Sequence, residues 1–266
     1  MVWKTQSQHE WASVSRSNNY EGTRLVFSFR GQEFPAKWWG CGTENFTNAK
    51  DHIKDKFTMT EDGLQMIGAT NAFANCYIGQ FTAPMNANST SSNSSWDNMY
   101  NFNETGSIAN KPRLFSYYPE FHCIYIMRLD NAKDDYRQAG CGFSKEGRGD
   151  IAGSSLAMAH TGELTDHWQL RQANGGGTQT ETDTDIDPDQ NFHKHQINFT
   201  DGVVAGNAGH LSYYIDDVLG AVKYGTANWH ADHQALTAGF QSKQTVSNIC
   251  KLTISYVEAW TGKMAA

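Results

Sequence analysis

The stretch that decides the fold is Phe192-His193-Lys194-His195-Gln196-Ile197-Asn198-Phe199, followed after a Gly/Asn-containing turn by His210-Leu211-Ser212-Tyr213-Tyr214-Ile215 and then Asp216-Asp217-Val218-Leu219. In the first run Phe192, Lys194, Gln196 and Asn198 alternate with His193, His195, Ile197 and Phe199. A period of two places successive side chains on opposite faces of an extended chain, which predicts a strand with one buried face. The second run carries Leu211, Tyr213, Tyr214 and Ile215 after the turn, so a series of antiparallel hairpins is expected here, with 192–199 paired to 211–215.

Working outward, Thr23 to Phe29, Phe121 to Leu129 and Lys251 to Trp260 carry the same strand pattern. In the last run Leu252, Ile254, Tyr256 and Glu258 are expected on one face, opposite Thr253, Ser255 and Val257. The segment 154–170 contains an apolar stretch but no sustained helical repeat, and Gly162 interrupts it. The expectation is therefore all-β, with 1–266 forming a single two-sheet antiparallel jelly-roll sandwich. A length of 266 residues suits one such domain. Two segments read as substantial loops: the Asn/Ser-rich 85–113, which holds Trp96, Tyr100 and Phe102, and the Gly-rich, charged 145–153.

Composition narrows the function classes. A formal net charge of −7 and the lack of a Lys/Arg cluster argue against nucleic acid as a partner. No apolar run approaches the roughly 20 residues of a membrane-spanning helix, so membrane insertion is not expected. Residues 1–10 show no charged start followed by an apolar run, so no signal peptide is visible. The five cysteines, Cys41, Cys76, Cys123, Cys141 and Cys250, are odd in number and scattered, which reads as buried thiols rather than a disulfide framework. Sequons at Asn45, Asn88, Asn93, Asn103 and Asn198 matter only in a glycosylating compartment.

The order of several pieces resembles concanavalin-like lectin and glucanase domains, including laminin-G-like modules. Phe57 to Met66, with its Asp62-Gly63 turn, looks like an early strand pair. Cys76-Tyr77-Ile78-Gly79-Gln80-Phe81 looks like a strand of the ligand face, and Phe121 to Leu129 like the long central strand. The 192–197 strand followed by Tyr214-Ile215-Asp216-Asp217 is similar to the family's strand and "Tyr-Ile-Asp-Gly" hairpin, with Asp217 where glycine is usual. The resemblance spans about residues 55–260. It implies an antiparallel jelly roll with a concave face, a fold that hosts lectins, hydrolases, lyases and viral surface modules alike.

The sharpest chemical feature is Thr178-Gln179-Thr180-Glu181-Thr182-Asp183-Thr184-Asp185-Ile186-Asp187. As a strand it would align Glu181, Asp183, Asp185 and Asp187 on one face, with neighbours about 7 Å apart. Such a ladder can blunt a sheet edge, hold a cation such as calcium, orient sugar hydroxyls, or supply catalytic carboxylates. The catalytic alternative would use Glu181, Asp183 and Asp185, but Asp185 stands where a glucanase-like strand has its acid Glu. The pairs His193/His195 and His230/His233 have metal-compatible spacing without a recognisable third ligand, and His193 and His195 read better as core histidines. Trp96, Tyr100 and Phe102, together with Trp229 and His230, are candidate contact residues, because aromatic faces stack on sugar rings.

These features set three expectations for function. The first is a non-enzymatic, glycan-binding or adhesive surface module at a virion surface or outside the cell, such as a capsid decoration, fibre or spike. The second is a polysaccharide-cleaving enzyme, and the third a structural capsid or sheath subunit. Partners would be a glycan or other subunits, including further copies of the chain.

Overall fold

The computed structural model describes residues 12–15, 21–31, 39–44, 56–68, 75–80, 120–144, 156–160, 167–173, 179–200, 210–224, 235–243 and 248–261. Among them, sixteen strands form two antiparallel sheets. The larger sheet runs β1 (Ala12–Ser15), β2 (Glu21–Ser28), β16 (Lys251–Thr261), β7 (Glu120–Leu129), β12 (His193–Thr200), β13 (His210–Ile215) and β14 (Val218–Tyr224). Alongside β16 it also carries β5 (Leu64–Ile67), which pairs with β4 (Phe57–Met59). The second sheet runs β11 (Gln179–Asp183), β10 (Gln169–Ala173), β9 (Leu156–His160), β8 (Tyr136–Ser144), β15 (Ala235–Ser242), β6 (Asn75–Gln80) and β3 (Trp39–Glu44). A short 3-10 turn, Lys133–Asp135, joins β7 to β8.

Alternation does what the sequence pattern predicts. In β7 the residues Cys123, Tyr125, Met127 and Leu129 are buried, while His122, Ile124, Ile126 and Arg128 are half-buried on the other face. β12 buries His195, Ile197 and Phe199 beside them, and its register with β13 pairs Phe199 with Leu211 and His195 with Ile215. Opposite lie Ala139, Cys141, Leu170, Leu236, Ala238 and Phe240 of the second sheet, so the core sits between the layers. Each large apolar side chain placed there contributes about 1.5–3 kcal/mol through removal from water. The Tyr125 hydroxyl crosses the gap and donates to the Gly142 carbonyl at 3.0 Å. Four described cysteines, Cys76, Cys123, Cys141 and Cys250, are buried free thiols. Burial pushes the Cys250 thiol up to about 12.

One expected face is wrong. The register of β16 on β7 slips between Ile254 and Tyr256, so Leu252 and Ile254 face the core but the next inward residues are Val257 and Ala259. Tyr256 and Glu258 are thrown to the outer face, the reverse of the simple alternation. One extra residue in a bulge exchanges the two faces of everything after it. Ser255 marks the slip, its hydroxyl donating to the Ile126 carbonyl at 3.3 Å.

The two turns flagged in the sequence are also built. Asp216 and Asp217 both have positive φ, 50° and 67°, as a two-residue hairpin turn of the primed type demands. Aspartate tolerates this conformation when its side chain bonds locally. Here Asp216 accepts the Lys194 N–H at 2.8 Å and meets His193 Nδ1 at 2.6 Å. At the turn between β4 and β5, Gly63 has φ 143°, and a Cβ there would lie 2.2 Å from the Ile254 carbonyl oxygen.

Two expectations follow from this packing. Gly63→Ala should destabilise the fold by about 3 kcal/mol or more, because the clash is with backbone and the φ is unfavourable; chemical denaturation will measure it. The second concerns pH. Burial holds His195 down at about 3, so its contribution is intact above the unfolded value near 6.5. That contribution falls by about 1.4 kcal/mol per pH unit as pH drops below 6.5. The neighbouring His193 shifts the other way, raised by Asp216 and Asp189 against its own desolvation. Its contribution is therefore full below 6.5 and is lost as pH rises through its raised pKa. Denaturation midpoints across pH 4–9 should show an acid limb that shallows in His195→Gln and an alkaline limb that shallows in His193→Gln.

Candidate functional site

β10 and β11 form one end of the seven-stranded sheet, in register Arg171 with Glu181 and Gln169 with Asp183. Trp168 and Leu170 turn into the core, which sends Gln169 and Arg171 to the outer face. Arg171 is only 3% exposed and grips Glu181 Oε1 through Nε at 2.8 Å and Nη2 at 2.7 Å. Its Nη1 donates to Gln138 Oε1 of β8 at 3.4 Å. Glu181 is therefore in the strand expected of it, as half of a largely buried ion pair.

The acidic ladder stops two residues later. Thr184 donates both its N–H (3.1 Å) and its hydroxyl (2.6 Å) to the Trp168 carbonyl, and Asp185 adopts φ 57°. The Asp185 N–H turns back onto Asp183 Oδ1 at 2.9 Å. A strand cannot continue through a left-handed residue, so only Glu181 and Asp183 keep ladder spacing. Instead Asp183, Asp185 and Asp187 gather around His167, at 3.0, 3.9 and 3.6 Å from its ring nitrogens. The hydrogen bond that His167 donates to Asp183 holds the His167 pKa above its ordinary value. The Asp185 N–H, with help from His167, holds Asp183 below the usual carboxylate range.

His167, Asp183 and Asp185 each offer a ligand atom, all within 4.8 Å of one another. An imidazole with carboxylates suits a divalent transition metal better than the all-oxygen set calcium prefers, and His167 would have to lose its proton to ligate.

The other candidates fall into two groups. His195 is a buried core residue, 1% exposed, within 2.8 Å of the Tyr213 hydroxyl, with Trp168 edge-on at 4.8 Å. His193 is half-buried between Asp216 and, at 2.8 Å, Asp189. Neither histidine is placed as a metal ligand. Trp96, Tyr100, Phe102, Trp229, His230 and His233 lie outside the described residues. The sequence reading passed over His167, Gln138 and Arg171. A signal was present: Trp168-Gln169-Leu170-Arg171 alternates, and the glycines at 175–177 make it one arm of a hairpin whose other arm is the acidic strand.

The same outer face is rich in glycine. Register aligns Gly40, Gly79, Thr237 and Gly142 in one transverse row, and Gly42, Tyr77, Gly239 and Gly140 in the next. The first row continues through β9 to Arg171 and Glu181, the second to Gln169 and Asp183. At about 4.8 Å between strands, the rows span about 20 Å before they reach these polar groups.

No protein-family model and no curated protein matches the sequence. Solved structures do match. The carbohydrate recognition domain of Emp47p aligns with 8% identity over 90% of this chain and 95% of that one, at a TM-score of 0.56. The family 7 alginate lyase A1-II′, solved with a substrate, aligns with 9% identity over 90% and 100%, at 0.54. A β-1,3-1,4-glucanase (lichenase) from a mouse hindgut metagenome aligns with 9% identity over 89% and 98%, at 0.51. A looser match, to a botulinum neurotoxin type C chain, covers 48% of that chain. The chain has the concanavalin-like jelly-roll fold.

Truncating one partner of a buried ion pair strands the other. Arg171→Ala should accordingly cost about 3 kcal/mol in urea denaturation, whereas Glu181→Gln, which keeps a hydrogen-bond acceptor facing Arg171, should cost less than about 1.5 kcal/mol.

Proposed function

We propose that the protein binds carbohydrate on the outer face of the seven-stranded sheet without cleaving it. The observation that carries this reading is the state of the two ladder carboxylates. Glu181 Oε1 is taken by Arg171, and Asp183 is taken by His167 and the Asp185 N–H. Hydrolysis with retention needs one carboxyl free as nucleophile and another free as acid, about 5–5.5 Å apart. Here both are tied into the framework, where they suit the orientation of hydroxyl groups at the end of the glycine-rich rows.

The two glycine-rich rows, about 20 Å long, match the length of a short run of sugar units, with the Arg171, Gln138 and Glu181 group at one end. Trp96, Tyr100 and Phe102, with Trp229 and His230, are the aromatic side chains proposed to stack on them. A divalent cation at His167, Asp183 and Asp185 is a further element of the proposal. The Emp47p domain, which shares this fold, is a carbohydrate recognition domain. Exposure on a virion or outside the cell belongs to the same proposal and rests on the sequence, since the structures matched above are not described as viral.

The rival is polysaccharide cleavage, as in the alginate lyase and lichenase that share the fold. A glycan array run beside reducing-end and unsaturated-product assays on the same polysaccharides separates them. Binding without product is expected, with Trp96→Ala weakening it about tenfold. Product formed by the wild type and lost in Glu181→Gln would replace binding with catalysis.

A further inference from the structure

The bulge in β16 has a second consequence, on the opposite side of the molecule. By moving Tyr256 and Glu258 outward, it places them with Trp260 on the outer face of the nine-stranded sheet. There the register aligns Trp260, His122, Asn198 and Ser212 across β16, β7, β12 and β13. The adjacent row is Glu258, Ile124, Gln196 and Tyr214. The Trp260 and His122 rings are stacked, with centroids 4.9 Å apart and planes within 15°.

Hydrogen bonds fix the amides beside that stack. Asn198 Oδ1 accepts from His122 Nδ1 at 2.9 Å and from Gln196 Nε2 at 3.0 Å. This settles which end of each amide is committed. The Asn198 NH2 and the Gln196 carbonyl are left with no partner among the described residues, as one donor and one acceptor on the same strand, two positions apart. A third group is Glu258, 8% exposed and bonded through Oε2 to the Tyr256 hydroxyl at 2.7 Å. From Trp260 to Asn198 is two strand spacings, about 10 Å, the span of roughly two sugar rings.

We infer that this half-buried cluster of Trp260, His122, Asn198 and Gln196 is a second saccharide site, on the outer face of the nine-stranded sheet, opposite the glycine-rich rows of the other sheet. Adjacent hydroxyls of a pyranose each donate and accept, which matches an oriented amide donor beside an oriented amide acceptor. The indole and imidazole supply an apolar edge for the C–H groups of the ring. The cluster adjoins one carboxylate, Glu258, and its row continues from Trp260 to Arg24 of β2, so the two opposite charges offset and a neutral sugar fits it better than an anionic one. With the proposed first site on the other sheet, the molecule would bridge two glycan chains.

The test is an NMR titration of 15N-labelled protein made in bacteria, which leaves the Asn198 sequon unmodified. Tetrasaccharides of cellulose, laminarin, mannan and chitin, with an alginate tetrasaccharide as the anionic comparison, serve as probes. A neutral probe should shift amides of β7, β12 and β16. Asn198→Ala and Gln196→Ala should each raise its Kd about tenfold. Trp260→Phe should stay within about threefold of wild type while Trp260→Ala loses binding, with thermal melts confirming that each variant is folded. Shifts confined to β8, β10 and β15 would overturn this inference and leave the proposed function standing. Shifts confined to β7, β12 and β16 would do the reverse. A panel without any shift, or variants of unchanged affinity, would overturn the second site.

Discussion

A neutral imidazole buried between the sheets is the constraint on which the rest depends. His195 reaches the core because it occupies an inward position of β12, and there it meets both the Tyr213 hydroxyl of its own sheet and the edge of Trp168 from the other. Desolvation keeps the ring uncharged, so it can serve as a hydrogen-bonding core residue. Trp168 is in turn the anchor of the acidic segment: its carbonyl takes both donors of Thr184, and its N–H reaches the Ile186 carbonyl at 2.8 Å. The seam between sheets thus decides where β11 ends. It also decides that Asp185 and Asp187 fold around His167 instead of extending a ladder.

Two local departures from regular strand geometry set what the outer faces present. The left-handed Asp185 turns a row of four carboxylates into a pair on the strand and a cluster at its end. The slip in β16 exchanges the faces of its C-terminal half, so that an acid and two aromatics lie outward where alternation would have turned all three inward. Both are single-residue events. Their effects are large because a sheet carries a change of face to every residue that follows.

The concanavalin-like fold alone does not choose between binding and cleavage, since solved structures sharing it include a carbohydrate recognition domain, a lyase and a glucanase. The choice lies in how each carboxylate is used. Glu181 and Asp183 are spent on Arg171, His167 and a backbone N–H, so their geometry serves the framework before any ligand arrives. Glu258, shielded on the other face and held by Tyr256, is a carboxylate whose outward position only the register reveals.

The sequence by itself determined the strands and most of their faces. Period-two alternation in 121–129, 192–199 and 210–215 is a local property, and the hairpin pairing Phe199 with Leu211 needed only one turn between two such runs. The resemblance to concanavalin-like domains rested on the order of those strands, and the fold agrees with it. Of the site, Glu181 and Asp183 were legible as same-face carboxylates, but their partners were not. Arg171, Gln138 and His167 meet them only because β10 and β8 are brought alongside, through contacts that no single strand's periodicity encodes. The bulge after Ile254 was equally hidden, because its cause is the match between β16 and β7, two strands over 120 residues apart in sequence. Tertiary structure decided these features because a hydrogen-bonded register and a buried ion pair belong to two segments at once.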